Sequence, residues 1–135
     1  MNCQIISVSI ALGLFIPIAV PAQAHPMPEI PVETNFEGEE MTIKVTIDPR
    51  SFTEDPLTEP YMHFSEFQQY DEERIQLLKV KGQELVDRTV VFNFESAAKI
   101  EPVFEFSFAS LEGTELSRLD DPVMLVVTVE VTIPD

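Results

Sequence analysis

The most regular pattern of apolar and polar positions lies near the C-terminus, from Val123 to Ile133. Val, Leu and Ile occupy every second position there, while Met, Val, Thr and Glu occupy the positions between them. A repeat of two with many β-branched residues predicts a β-strand. One face of this strand is wholly apolar and the other is half apolar, so we expect it inside a sheet and not at an edge. Pro122 and Pro134 flank it, where a missing N–H is tolerated.

Four shorter segments also have strand character. Met41–Ile47 alternates cleanly and follows Val32–Phe36, and the glycine at Gly38 predicts a tight turn that joins the two as a hairpin. Residues 101–109 place three phenylalanines on one face, which requires a covering layer. Residues 89–95 form a further predicted strand, joined to 101–109 as an antiparallel pair by the loop between them.

The segment between the two groups of strands loses the period of two, and we expect a helical insertion at about residues 56–88. Thr58 is a suitable N-cap for a short first helix. The apolar stripe of that helix would consist of Tyr61, Phe64 and Phe67, or of Met62 together with them. Asp71 is a suitable N-cap for a second helix, whose interior Gly82 costs about 1 kcal/mol relative to alanine.

This order of elements predicts a mainly β fold over residues 32–135, in the form of a small antiparallel β-sandwich with a two-helix insertion. The sandwich would be immunoglobulin-like only in a loose sense, because the Cys and Trp pattern of true immunoglobulin domains is absent. An α+β arrangement of two layers, with both helices on one sheet face, is the alternative.

The N-terminal residues have the character of an export signal. Residues 1–24 are mostly apolar and end in Ala22-Gln23-Ala24, a cleavage site of small residues, although no Lys or Arg precedes the apolar run. We therefore expect a signal peptide at 1–24, an extended proline-rich leader at 25–31 and a periplasmic or secreted location. An uncleaved anchor is the alternative. No later stretch is apolar enough to cross a membrane.

Charge and cysteine content narrow the classes of partner. The chain of 135 residues has 8 basic and 24 acidic residues, a formal net charge of −16, which disfavours nucleic acid and anionic lipid. Its one cysteine, Cys3, lies in the predicted signal, so no disulfide is expected in the mature domain. This negative charge is typical of solubility outside the cytoplasm, and attraction of cations or of a basic partner surface is the alternative interpretation. Another protein of the cell envelope or its membrane is the expected partner.

Two histidines are the candidate metal ligands. If cleavage follows Ala24, the new α-amine and the imidazole of His25 could chelate copper together, with His63 as the second imidazole. The sequence contains neither a G-x-S-x-G nor an H-E-x-x-H motif, and no EF-hand loop. The leading interpretation is therefore a non-enzymatic binding or accessory domain without a cofactor, and a copper-binding periplasmic protein is the alternative.

The stretch Ala24-His25-Pro26-Met27-Pro28 after a signal, followed by an alternating strand and a helical insertion, resembles the extracytoplasmic region of membrane proteins of the HupE/UreJ type. It is also similar to small exported bacterial proteins of unassigned function. The chain has no apolar stretch after residue 24 to match the membrane helices of that family. The resemblance therefore implies a soluble domain that works beside a membrane partner, and not metal transport.

Overall fold

The structure, a computed structural model, describes residues 28–92 and 100–133, so the predicted signal and the histidine at position 25 lie outside it. The described elements are β1 (Val32–Glu37), β2 (Glu40–Ile47), a short 3-10 helix (Pro49–Phe52), α1 (Phe64–Phe67), α2 (Glu72–Thr89), β3 (Val103–Ser110) and β4 (Val123–Thr132). Within these residues, no helix is both long and apolar enough to cross a membrane.

The strands form one antiparallel sheet of four strands in the order β1-β2-β4-β3. The C-terminal strand β4 is therefore an interior strand, as its one wholly apolar face and its half-apolar second face predict. The hairpin of β1 and β2 is also confirmed, and Gly38 in its turn has φ of 64°, a conformation that glycine adopts without strain.

The core lies between α2 and one face of the sheet. The alternating apolar residues of β2 and β4 point to this side, and Val86 of α2 packs against them. Gly82 brings the helix so close that a Cβ atom there would lie 2.5 Å from Cδ2 of Leu125 and 3.2 Å from Cγ2 of Val127. The phenylalanines of β3 lie beside this core and are half-buried. Their predicted covering layer includes α1, because the Phe67 ring centroid is 4.5 Å from that of Phe108.

The architecture is thus a single four-stranded sheet with two helices, consistent with a mostly β or an α+β fold. A sandwich needs a second sheet, and residues 28–92 and 100–133 contain only one. The immunoglobulin-like arrangement is not shown. Helix α2 packs on one face of the sheet, as in the two-layer alternative.

The first helix begins later than the sequence predicts. Thr58 does not cap it; the cap position belongs to His63, and α1 has only four residues. The physical reason is a non-local pairing: Val123 N–H donates to the Met62 carbonyl over 2.8 Å, and His63 forms a bridge with Pro122. This extended pairing keeps the preceding chain, including the tyrosine at position 61, out of a helix.

The second helix begins at the predicted cap, where the Asp71 side chain accepts a hydrogen bond from the backbone N–H of Arg74. It runs through Gly82 and ends at Thr89. The predicted strand at 89–95 is therefore wrong at its start, since Thr89 is helical and residues 90–92 form no strand. Its other residues, 93–95, lie outside the described part. The burial of Val86 against the sheet holds this last turn in the helix.

Candidate functional site

The sheet face opposite α2 is covered along only half of its length. At the covered end, Met124 and Val126 of β4 are buried although they point away from the core. Met124 lines a pocket of about 250 Å³ together with Pro28, Pro31 and Tyr61. The described leader and the chain before α1 therefore cover this half of the face.

The other half is uncovered and carries carboxylates from all four strands. The strand register places five glutamates on this face, and we call them the acidic face: Glu33, Glu37, Glu40, Glu105 and Glu130. One cation accompanies them, Lys44, whose Nζ is 3.9 Å from Oε2 of Glu33. Glu37 and Glu40 stand directly opposite each other. Such a like-charged pair destabilises a sheet, so folding stability does not explain why these two glutamates face each other.

An apolar side chain lies beside these carboxylates. Val103 at the start of β3 is 57% exposed and stands directly opposite Glu130. A shallow pocket of about 110 Å³ is lined by both residues together with Glu40 and Glu101. These carboxylates do not converge on one point, since no group of three His, Cys, Asp or Glu in the described ranges is arranged to hold a metal ion.

Arg50 lies between two pockets, of about 300 and 250 Å³, but its hydrogen-bonding groups already have partners. Its Nε and Nη2 donate to Oδ2 of buried Asp48 over 2.9 and 2.7 Å. Its guanidinium also stacks over the Tyr61 ring, 3.5 Å from the centroid. The hydrogen bond to Asp48 raises the pKa of Arg50. We interpret these contacts as a structural interaction that holds the segment before α1 against the sheet, and not as an anion site.

His63, one of the two predicted copper ligands, lies on the surface at the start of α1. Its Nδ1 is 2.9 Å from the carbonyl oxygen of Asp120, so this nitrogen carries a proton and donates. Its Nε2 is the nitrogen left to serve as a metal ligand. The other predicted ligand, His25, lies outside the described residues. Pairing of the two histidines remains a prediction.

Sequence reasoning did not identify two features of this surface. The alternation within each strand indicated which residues of that strand share a face. Which glutamates of different strands lie on the same face depends on the register between the strands. The Asp48–Arg50 interaction had a local signal, because Asp48-Pro49 directly follows a strand and an Asp in such a turn often accepts a hydrogen bond from the backbone two residues on. In the structure, Asp48 accepts from the backbone N–H of Arg50 over 2.9 Å. The stacking of Arg50 on Tyr61 had no signal in the local sequence, because it brings together residues of different segments.

Comparisons with known proteins add no assignment: no protein family model, no curated protein and no solved structure matches this chain.

Proposed function

We propose that this protein is an exported, non-enzymatic domain of the periplasm or cell envelope that binds a basic segment of another envelope or membrane protein on its acidic face. The observation that carries the proposal is the uncovered half of the sheet, where five glutamates from four strands lie together with one lysine. Opposite charge across an interface speeds encounter and fixes the orientation of the partner. The exported location rests on the sequence of residues 1–24.

The shape of the acidic face favours a polypeptide over a small cation. Its carboxylates follow the strands, and like-charged Glu37 and Glu40 oppose each other across the turn. A basic side chain placed between that pair would relieve their repulsion on binding. Exposed Val103 supplies an apolar contact among the charges. Interfaces of this kind combine an apolar centre with a charged rim.

A charge-reversal experiment tests this function. The probe is a fluorescent ten-residue peptide in which lysine and arginine alternate with glycine, and binding is followed by anisotropy at low salt and at about 0.15 M salt. Glu105 and Glu130 are reversed together to lysine in one variant. Exposed Glu84 on α2 and Glu112 in the loop after β3 are reversed together in the matched control, which has the same net charge.

The expected result is that E105K/E130K abolishes peptide binding while E84K/E112K leaves most of it. Equal loss in both variants would show that the peptide senses only net charge, and would contradict a specific face. Unchanged binding in E105K/E130K would contradict the proposal as well. Circular dichroism spectra of both variants establish that the fold is kept.

A further inference from the structure

The free edge of β1 has an arrangement that is complementary to itself. All six residues of this strand are exposed, and the apolar side chains Val32 and Phe36 are 56% and 64% exposed. β1 is an outer strand of the sheet, and no strand within the described ranges pairs with its other side. An edge strand of this kind offers its backbone N–H and C=O groups to a further strand.

The structure determines which backbone groups point outward. The N–H of Thr46 donates to the carbonyl of Pro31 over 3.0 Å, so position 31 is hydrogen-bonded toward β2. Hydrogen-bonded and non-hydrogen-bonded positions alternate along an antiparallel pair. Positions 33, 35 and 37 therefore bond to β2 as well. The N–H and C=O groups of Val32, Thr34 and Phe36 point to the free edge.

We infer that the free edge of β1 pairs antiparallel with β1 of a second copy of this chain, in the register that sets Thr34 opposite its own counterpart. In this register, Val32 lies opposite the second copy's Phe36, which is a favourable β-branched and aromatic pair. Glu33 lies opposite the second copy's Asn35, so no like charges face each other directly. The outward-pointing groups of Val32, Thr34 and Phe36 then bond to one another across the two-fold axis.

The neighbouring registers lack this complementarity. Centring the pair on Glu33 sets that carboxylate opposite its own copy. Centring it on Asn35 sets Glu33 opposite the second copy's Glu37. Both place like charges directly across an antiparallel pair, which is destabilising. The side-chain sequence of β1 therefore selects the register centred on Thr34.

Pairing in this way has two consequences. The two-fold axis is perpendicular to the joined sheet, so the acidic faces of both copies lie on the same side and form one longer surface. The chains are strongly acidic, with a formal net charge of −16 each, so they repel one another at low ionic strength. Added salt should therefore strengthen the dimer, whereas it should weaken the binding of a basic peptide.

Amide exchange and sedimentation test the dimer, using the protein produced with its own N-terminal sequence. Raising the protein concentration should increase the protection of the Val32, Thr34 and Phe36 amides, while those of Glu33 and Asn35 are protected at every concentration. The Thr34→Glu variant places like charges across the axis and should abolish the concentration-dependent increase in mass. Thr132→Glu, an exposed threonine of β4 with the same change in charge, should leave it intact.

Three results would overturn the inference: a monomer at all concentrations with unprotected Val32, Thr34 and Phe36 amides, a dimer that persists in Thr34→Glu, or equal loss of the dimer in Thr132→Glu. A strand variant that unfolds would be recognised by its circular dichroism, and amide exchange of the unmodified protein then decides alone. The failure of the dimer and the failure of the proposed function are distinguishable. Thr34 lies on the α2 side of the sheet, so T34E should still bind the basic peptide, whereas E105K/E130K should still dimerise.

Discussion

Replacement of Gly82 by alanine tests the packing of α2 on the sheet, because two effects of known size oppose each other. Alanine is favoured over glycine in a helix interior by about 0.8–1.0 kcal/mol. A Cβ atom at this position would, however, lie 2.5 Å from Cδ2 of Leu125, which is fully buried at 0% exposure. Overpacking of a core typically costs about 1–3 kcal/mol. We therefore expect Gly82→Ala to leave stability unchanged or lower it by up to about 2 kcal/mol, despite the better helix propensity.

A double-mutant cycle separates the two effects. Leu125→Val removes the δ carbons that the new Cβ would meet, at a cost expected to be below that of Leu→Ala, which is about 2–5 kcal/mol. In the Leu125→Val background, Gly82→Ala should be stabilising, because its helix propensity remains and the closest contact is gone. Urea unfolding followed by far-UV circular dichroism gives the four free energies of unfolding. Stabilisation by Gly82→Ala of about 1 kcal/mol in the wild-type background would show that α2 does not lie against β4 at this point.

Three further predictions concern single interactions. Asp71→Ala removes the cap of α2 and should lower the free energy of unfolding by about 1 kcal/mol, measured by urea unfolding; an unchanged value would show that the cap is not used. The backbone N–H groups of Arg118 and Ser117 lower the pKa of Asp121 below its ordinary 3.8. The stability that these hydrogen bonds provide should therefore be present above pH 3.8 and lost as the pH falls through the lowered pKa. The difference in Tm between wild type and Asp121→Asn should shrink in acid, and a constant difference would contradict this. If the copper alternative holds, protein processed to begin at His25 should bind one Cu²⁺ and lose it when one residue is added before His25; identical calorimetric titrations of the two forms would exclude it.

Local alternation was sufficient to predict the hairpin and the two C-terminal strands. The segments 41–47 and 123–133 each have one fully apolar face, and 101–109 has three phenylalanines on one face. The repeat of two alone therefore predicts a strand in each segment. The interior place of β4 followed from its second, partly apolar face, since Met124 and Val126 are buried on the side away from α2. Those strands were therefore predictable from the chain alone.

Non-local contacts determined where the predictions were wrong. Thr58 has the residue type of an N-cap, but the pairing of 62–63 with 122–123 holds the preceding chain extended and moves the start of α1 to residue 64. Residues 89–92 have strand propensity, yet the N–H of Val90 donates to the carbonyl of Val86, which is fixed against the core. How strongly these tertiary contacts compete with local strand or helix propensity cannot be predicted from a local sequence pattern.

The candidate site was less predictable than the fold for a related reason. The sequence gives the side of each strand on which a glutamate lies, but Glu130 becomes a neighbour of Glu40, and Glu105 joins the same face, only through the strand order β1-β2-β4-β3. Similarly, Gly82 was expected to weaken the helix, whereas its closeness to Leu125 shows that the absence of a side chain allows the helix to approach the sheet. Both features depend on the pairing of distant segments.

The most direct test of the central claim is an NMR titration of the ¹⁵N-labelled protein with the basic peptide. The claim is that one face of the sheet packs against α2, while the uncovered half of the other face presents carboxylates to a basic partner. The predicted result is that chemical-shift changes concentrate in residues 33–37, 40–44, 103–107 and 128–132, and disappear in E105K/E130K. Changes concentrated on α2, or spread evenly over the acidic residues of the whole surface, would contradict it.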